Sequence, residues 1–252
     1  NPNFYLGEPK TKNLIFKVVA TNAELQAVET GDVDIHDQVV CDDDHIEEAM
    51  SAGFINLKIQ PTLGYGYVAT NQKNEIFQDV KVRQALLHAI DRKSLNQAVY
   101  GQYAITLNIP QAPISWLYDD EGMETYDYNL EKAAELLKEA GWEKDGDKLM
   151  KDGKQMKIVF SAMSGNVVTD TMIPLMIDAY GQLGIDFQAE YVDWPTLQSK
   201  SQNGTFDMLF MAWGLTADPD LTGTFASAEA GGTQNRTGYA NPELDKMLAE
   251  AL

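Results

Sequence analysis

The stretch Phe206-Asp-Met-Leu-Phe-Met-Ala-Trp-Gly-Leu-Thr-Ala-Asp-Pro-Asp220 holds the residues best placed to do chemistry. Asp218 and Asp220 flank a proline, and two near carboxylates invite an acid/base pair of the kind a hydrolase uses. Paired catalytic carboxylates need different environments and a defined gap, and two acids on either side of one proline promise neither. The second reading is a binding edge. Phe206 to Ala212 is a short apolar run, the pattern of a strand buried on both faces. It ends in Trp213-Gly214 and opens into the loop that carries the two acids. In open α/β sheets, ligands sit beyond the carboxyl ends of such strands. A core strand followed by an ordinary Asp-Pro turn is the plainer alternative.

His36, Cys41, Asp42, Asp43, Asp44 and His45 form a second cluster, with the side-chain types that hold metals. Their spacing matches no common metal motif. Carboxylates in the first turn of a helix favour its dipole, and that accounts for Asp42–Asp44 without a metal. Gly-x-Ser-x-Gly, His-Glu-x-x-His and a phosphate-binding glycine loop are all missing from the sequence. His88 falls in a periodic helix, a structural position rather than that of a base. The expectation is therefore no catalytic residue, no metal and no cofactor.

The net charge of −19 argues against nucleic acid as a partner, because phosphate binding needs a basic face. An anionic membrane surface is disfavoured on the same ground. Cys41 is the single cysteine, so no intrachain disulfide can form. No apolar run approaches the roughly 18–20 residues that span a bilayer. The chain opens at Asn1, without Met or a signal peptide, on turn chemistry. It closes in a helix started by Asn241-Pro242-Glu243 that has no C-cap. Both ends read as cut, and the expectation is a fragment.

The elements that must position the edge follow from periodicity. Asn13–Val19 reads as a strand. Thr21 and Glu24 have capping-box spacing for a helix ending near Gly31. Asp32–Val40 is a short extended link, and a helix runs from about His45 to Ala52. Ile55–Gln60 and Tyr65–Asn71 are strand candidates, and Val80 to about Val99 has helical periodicity. A loop rich in proline and aromatics follows, from about Tyr103 to Tyr128. Asn129 caps a helix over Leu130–Ala140, with Gly141 at the C′ position. After a polar hairpin-like patch at Asp145–Gly153, strand and helix alternate: Met156–Ser161, Asp170–Leu183, Ile185–Val192, Trp194–Gln202, Phe206–Ala212. That alternation indicates an α/β layer with parallel neighbours.

Several stretches together resemble one family, the extracellular solute-binding proteins that hand oligopeptides and dipeptides to ABC importers. They are Asn1-Pro-Asn-Phe-Tyr-Leu-Gly7, the link Gly31-Asp-Val-Asp-Ile35, and Tyr67 with Asn71. Phe77-Gln-Asp-Val-Lys-Val-Arg-Gln-Ala-Leu-Leu-His-Ala-Ile-Asp91 and Tyr128-Asn-Leu-Glu-Lys-Ala-Ala-Glu-Leu-Leu-Lys-Glu-Ala-Gly141 come next. Leu183-Gly-Ile-Asp186, Asp193-Trp194, Gly204-Thr-Phe-Asp207, Trp213–Asp220 and Tyr239-Ala-Asn-Pro-Glu-Leu-Asp245 complete the set. Their order and spacing cover nearly the whole chain.

The resemblance implies a two-lobed periplasmic-binding-protein-like fold with a mixed sheet flanked by helices. Residues 1–40 would be a returning piece of the discontinuous first lobe plus a hinge, and 41–252 most of the second lobe. It implies a peptide ligand, a permease with a cytoplasmic ATPase as partner, and a monomer. The expected location is extracellular, as a surface lipoprotein whose anchor lies outside this fragment, or else periplasmic. The ligand edge would comprise Trp213, Gly214, Leu215 and Thr216, gripping a peptide backbone by β-augmentation. Relatives often carry an Asp three residues after that Trp to clamp the ligand's α-ammonium; here the position is Thr216, and the next acid is Asp218. Either Asp218 takes over the clamp or the cargo presents no free amine. Carriers of nickel chelates or oligosaccharides, from the same family branch, are the alternative.

Overall fold

The computed structural model describes residues 4–20, 23–37, 43–218 and 220–251. They form two compact units, one of residues 1–59 with 100–103, the other of residues 60–99 and 104–252.

In the first unit, α1 (Glu24–Glu29) buries Leu25 and Ala27, and α2 (Asp43–Ser51) buries Ile46 and Ala49. The residue before α1 is Ala23, with no side-chain cap; Thr21 of the expected capping box lies outside the described residues. The expected strands over 13–19 and 55–60 are not formed. Leu14, Ile15, Phe16 and Val18 are 74–98% exposed, so the apolar pattern is present without a ladder partner among the described residues. A strand is stable only when its backbone groups are paired.

The second unit holds the larger core. Its sheet contains β1 (Gly64–Thr70), β5 (Lys157–Met163), β6 (Asp186–Val192) and β7 (Met208–Gly214), in the order β1-β7-β5-β6. A three-stranded meander of β2 (Glu143–Asp145), β3 (Lys148–Lys151) and β4 (Lys154–Gln155) replaces the expected hairpin. β5 runs parallel to β6 and β7, as strand–helix alternation requires, whereas β1 runs antiparallel to β7. The α/β fold with a mixed sheet is thus the observed one.

The helices are α3 (Val80–His88), α4 (Arg92–Tyr100), α5 (Leu130–Glu139), α6 (Val167–Gln182), α7 (Trp194–Asn203), α8 (Thr222–Phe225) and α9 (Pro242–Glu250). One sheet face packs Phe160, Met208 and Phe210 into a core with Leu86 of α3, Leu137 of α5 and Met176 of α6. The other face packs Ala69 and Leu209 on Leu197 of α7.

The single helix expected over Val80–Val99 is two. Asp91 accepts from the Ser94 amide at 3.1 Å and the Ser94 hydroxyl, which starts α4 afresh. An Asp able to satisfy a first-turn donor competes with helix continuation. The expected caps at Asn129 and Asn241 form, accepting from the amides of Lys132 and Glu243 at 2.9 Å each, and Asp193 caps α7 in the same way, accepting from the Thr196 amide at 2.9 Å. Gly141 adopts φ +85°, the left-handed conformation expected after α5.

Candidate functional site

β7 is buried only in its first half. Met208 and Leu209 are enclosed, while Ala212 and Gly214 are exposed. The strand also runs two residues past its expected end and takes in Trp213 and Gly214. Pairing with β1 accounts for the extension: the register carries Tyr65 opposite Trp213 and Gly64 opposite Gly214, and the Leu215 amide then donates to the Leu63 carbonyl.

On its other side β7 pairs with β5 only through Phe160 with Met208 and Ser161 with Leu209. Bonds at the two ends of the β1–β7 ladder, Asn71 N to Asp207 O and Leu215 N to Leu63 O, fix which residues face β1. Because backbone direction alternates along a strand, Leu209, Met211 and Trp213 turn their amides toward β1. Ala212 and Gly214 turn theirs to the opposite side, beyond the last residue paired with β5. The result is a half-open strand edge, and among the described residues no atom beyond its chain neighbours lies within 4 Å of where a Cβ on Gly214 would sit.

The flanking side chains form an aromatic strip. Trp213 stacks on Tyr67, with ring centroids 5.9 Å apart and planes 9° from parallel, and Tyr65 sits 5.9 Å from Tyr67. All three are half-buried and continue the face that α7 covers further along. Burial pushes the Tyr65 phenol up to about 12. Burial, with the neighbouring Tyr65, does the same for Tyr67, against the smaller opposing pull of Arg236 and the Trp213 indole. Both phenols are therefore neutral donors at neutral pH, beside a flat apolar wall.

The loop after β7 is pinned from two directions. The Thr216 hydroxyl donates to the Asp218 carbonyl at 2.7 Å, and the Trp116 indole N–H donates to the Ala217 carbonyl at 3.1 Å. Trp116 belongs to the long loop that precedes α5. That loop is anchored by Arg92, which donates to the Leu107 carbonyl and the Asn108 side chain at 3.0 Å each, and by a 2.7 Å bond between His88 and the Asp127 carbonyl.

Asp220 accepts from the Thr222 amide at 2.8 Å, and Thr222 holds its carboxyl below the usual carboxylate range. That direction is wrong for a general acid at neutral pH. Asp218 is exposed. Asp220 is likewise exposed, so neither acid has an enclosed environment to set it apart.

Trp213, Gly214, Leu215, Thr216 and Asp218 thus fall along one strand end and its turn. Tyr65 was missed as a partner of this edge, although Gly64-Tyr-Gly-Tyr67 puts two tyrosines on one face by simple alternation. Arg236 was also missed, and no local motif announces it. In the other cluster, Asp43 and Asp44 occupy the first turn of α2, while Cys41 and Asp42 lie outside the described residues. Among the described residues no three acids, histidines or cysteines come together as a metal site.

A layered α/β unit that leaves one central strand half unpaired at its carboxyl end presents the kind of edge beyond which open α/β sheets hold ligands. The particular lineage is equally plain. Residues 1–235 match the bacterial extracellular solute-binding proteins, family 5 Middle, and the chain belongs to that family. It is 32% identical over 259 residues to the oligopeptide-binding protein AppA of Bacillus subtilis, a match covering all of this chain and 47% of AppA. It is 26% identical to the nickel-binding periplasmic protein of Escherichia coli, again across the whole chain and 49% of that protein.

The structure of Bacillus subtilis AppA in complex with a nonapeptide superposes with a TM-score of 0.79 at 31% identity, covering 91% of this chain and 46% of AppA. NikA from Brucella suis, in complex with Fe(III)-EDTA, shares the fold with a TM-score of 0.71 at 23% identity, covering 92% of this chain and 47% of NikA. The chain spans about half the length of the curated relatives it matches. No helix among the described residues is long and apolar enough to cross a membrane.

Proposed function

We propose that this chain supplies most of one lobe of a two-lobed solute-binding protein that captures peptides and delivers them to an ABC importer. The observation that carries this reading is the half-open edge of β7. Ala212 and Gly214 offer free peptide groups to an extended ligand there, beside the Trp213–Tyr67 wall. Main-chain pairing gives affinity with little demand on cargo sequence. The match of this whole chain to 47% of an oligopeptide-binding protein supports peptide as the cargo class.

In this reading residues 1–40 are a returning piece of the facing lobe with a hinge, and residues from 41 onward form the second lobe. The protein works as a monomer outside the cytoplasm, held at the cell surface by a lipid anchor or free in a periplasm. It meets permease subunits served by an ATPase, and it turns over no substrate. Closure of the lobes is stabilised by contacts that only the liganded state makes. Leu215 continues the edge, and Thr216 stands where relatives place an acid for the ligand's amino terminus. The Thr216 hydroxyl is engaged with its own loop and carries no charge, so a terminal ammonium gains less there than from a carboxylate.

Two named relatives, the nickel-binding protein and heme-binding protein A of Haemophilus influenzae, give a non-peptide cargo its standing as the second reading. Mass spectrometry of small molecules released on denaturing the natively purified two-lobed protein separates the two. Peptides are expected; a metal chelate or porphyrin in their place refutes the peptide reading. Paired calorimetric titrations with a peptide and its N-acetylated form then test the edge. Wild type should prefer the free amine by less than about tenfold, and Thr216→Asp should increase that preference. A wild-type preference near a hundredfold that vanishes in Asp218→Asn would instead assign the clamp to Asp218.

A further inference from the structure

Arg236 is one of three arginines in the chain. The other two are bound to backbone. Arg83 donates to the carbonyls of Phe77 and Gln78, and Arg92 to those of Leu107 and Tyr126 and to Asn108. Arg236 has no such use. Its Nε is buried without a hydrogen-bond partner, and its guanidinium has no carboxylate or carbonyl acceptor among the described residues. The chain carries 38 acidic side chains against 19 basic ones, so an unpaired arginine is not explained by a shortage of carboxylates.

The backbone around Arg236 is fixed on both sides. The Asn235 side chain donates to the carbonyls of Ala226 at 2.9 Å and Tyr239 at 2.7 Å, and it accepts from the Thr237 hydroxyl and the Gly238 amide at 3.0 Å each. The Thr237 carbonyl accepts from the Gln72 amide at 2.8 Å, just past the end of β1. This bracing seats the Arg236 backbone beside the end of β1. From there its positive charge acts on the Tyr67 phenol, the ring on which Trp213 stacks. A buried guanidinium N–H without an acceptor is costly, and such a group in a native site calls for a partner from outside. Arginine's planar fork matches a carboxylate, and the neighbouring Tyr67 hydroxyl is a further donor.

We infer that Arg236 is a specificity-determining residue of the β1–β7 site that receives a carboxylate of the cargo, from an acidic side chain or from the peptide's carboxyl terminus. The inference rests on the peptide reading above and sharpens it to cargo with an anionic group at one position along the edge.

The test uses the complete two-lobed protein and alanine pentapeptides carrying a single Glu, or a single Gln, at each position in turn, together with pentaalanine and its carboxyl-terminal amide. At one position, or at the terminus, the carboxylate form should bind about tenfold or more tightly than its neutral counterpart. In Arg236→Gln that gap should shrink to about twofold, and Arg236→Lys should retain part of it, since a lysine keeps the charge without the fork. Equal affinity of every Glu and Gln pair in wild type, with no loss on amidation, overturns the inference while leaving the peptide reading intact. A preference that persists undiminished in Arg236→Gln overturns it as well. If no pentapeptide binds at all, the peptide reading falls and the inference with it. The wild-type comparison decides even if a variant folds poorly.

Discussion

Asn71 sets the register on which the half-open edge depends, and removing its amide should be expensive. It is 5% exposed and follows directly on β1. Its Nδ2 donates to the Gly204 carbonyl at 2.9 Å and the Phe206 carbonyl at 2.7 Å, and its Oδ1 accepts from the Lys73 amide at 3.1 Å. Asn71→Ala leaves those three backbone groups without this partner. Each lost bond is worth about 1 kcal/mol net, and more for a group that stays dry. The Phe206 bond is fully buried, whereas water can reach the other two in part. The expected loss is therefore about 3 kcal/mol, within a range of roughly 2–4.

For a domain of this size that corresponds to a melting temperature lower by about 6–12 °C. Urea denaturation followed by tryptophan fluorescence measures it, with the midpoint falling and the m-value unchanged. Asn71→Asp keeps the shape and the Lys73 bond but aims a carboxylate at two carbonyls. It should be at least as destabilising at neutral pH and should recover as acid protonates the new group. A loss under about 1 kcal/mol for Asn71→Ala would refute the reasoning, because it would mean the three groups are satisfied elsewhere.

Gly232 is buried, and a Cβ there would lie 1.8 Å from the Ala226 carbonyl oxygen and 2.9 Å from that of Ser227. Gly232→Ala should cost about 3 kcal/mol or more by thermal denaturation, whereas Gly223→Ala, with open space around it, should be neutral or slightly stabilising. Glu190 is held below the usual carboxylate range by Lys200, 2.8 Å away, and more weakly by Ser161 at 2.9 Å. Its stabilising contribution is thus present above the unfolded carboxylate pKa, near ~4.3, and is lost as pH falls through the lower folded value. Melting temperature should drop less steeply with acid in Glu190→Gln than in wild type, and parallel curves would contradict the assignment. Tyr65 and Tyr67, both raised to about 12, should ionise late in an ultraviolet alkaline titration. The stabilisation they confer is complete below about pH 10 and is lost between there and their folded values; Tyr67→Phe should remove one late-ionising phenol from the titration.

Much of the local structure was legible in sequence because its causes are local. Asn129, Asp193 and Asn241 stop the preceding chain and start helices by reaching an amide two or three residues on. Gly141 turns the chain left-handed after α5, and apolar periodicity from Lys157 to Met211 separates strand from helix. The family match and the Trp213–Asp218 stretch were visible for the same reason: each is a short motif in a fixed order.

What tertiary structure alone decided lies where distant segments meet. β1 is antiparallel to a strand roughly 145 residues later, and that pairing carries β7 through Gly214 and stacks Trp213 on Tyr67. The short ladder between β5 and β7, which leaves Ala212 and Gly214 facing outward, is a matter of strand divergence that side-chain alternation does not encode. Arg236 shows the limit most clearly. Its neighbours in sequence are ordinary turn residues, and its lack of an acceptor is defined only once the chain around it has folded. Pattern reports which face a residue takes within its own element; which partner stands opposite, and which polar group is left waiting for one, depends on contacts the chain closes across long loops.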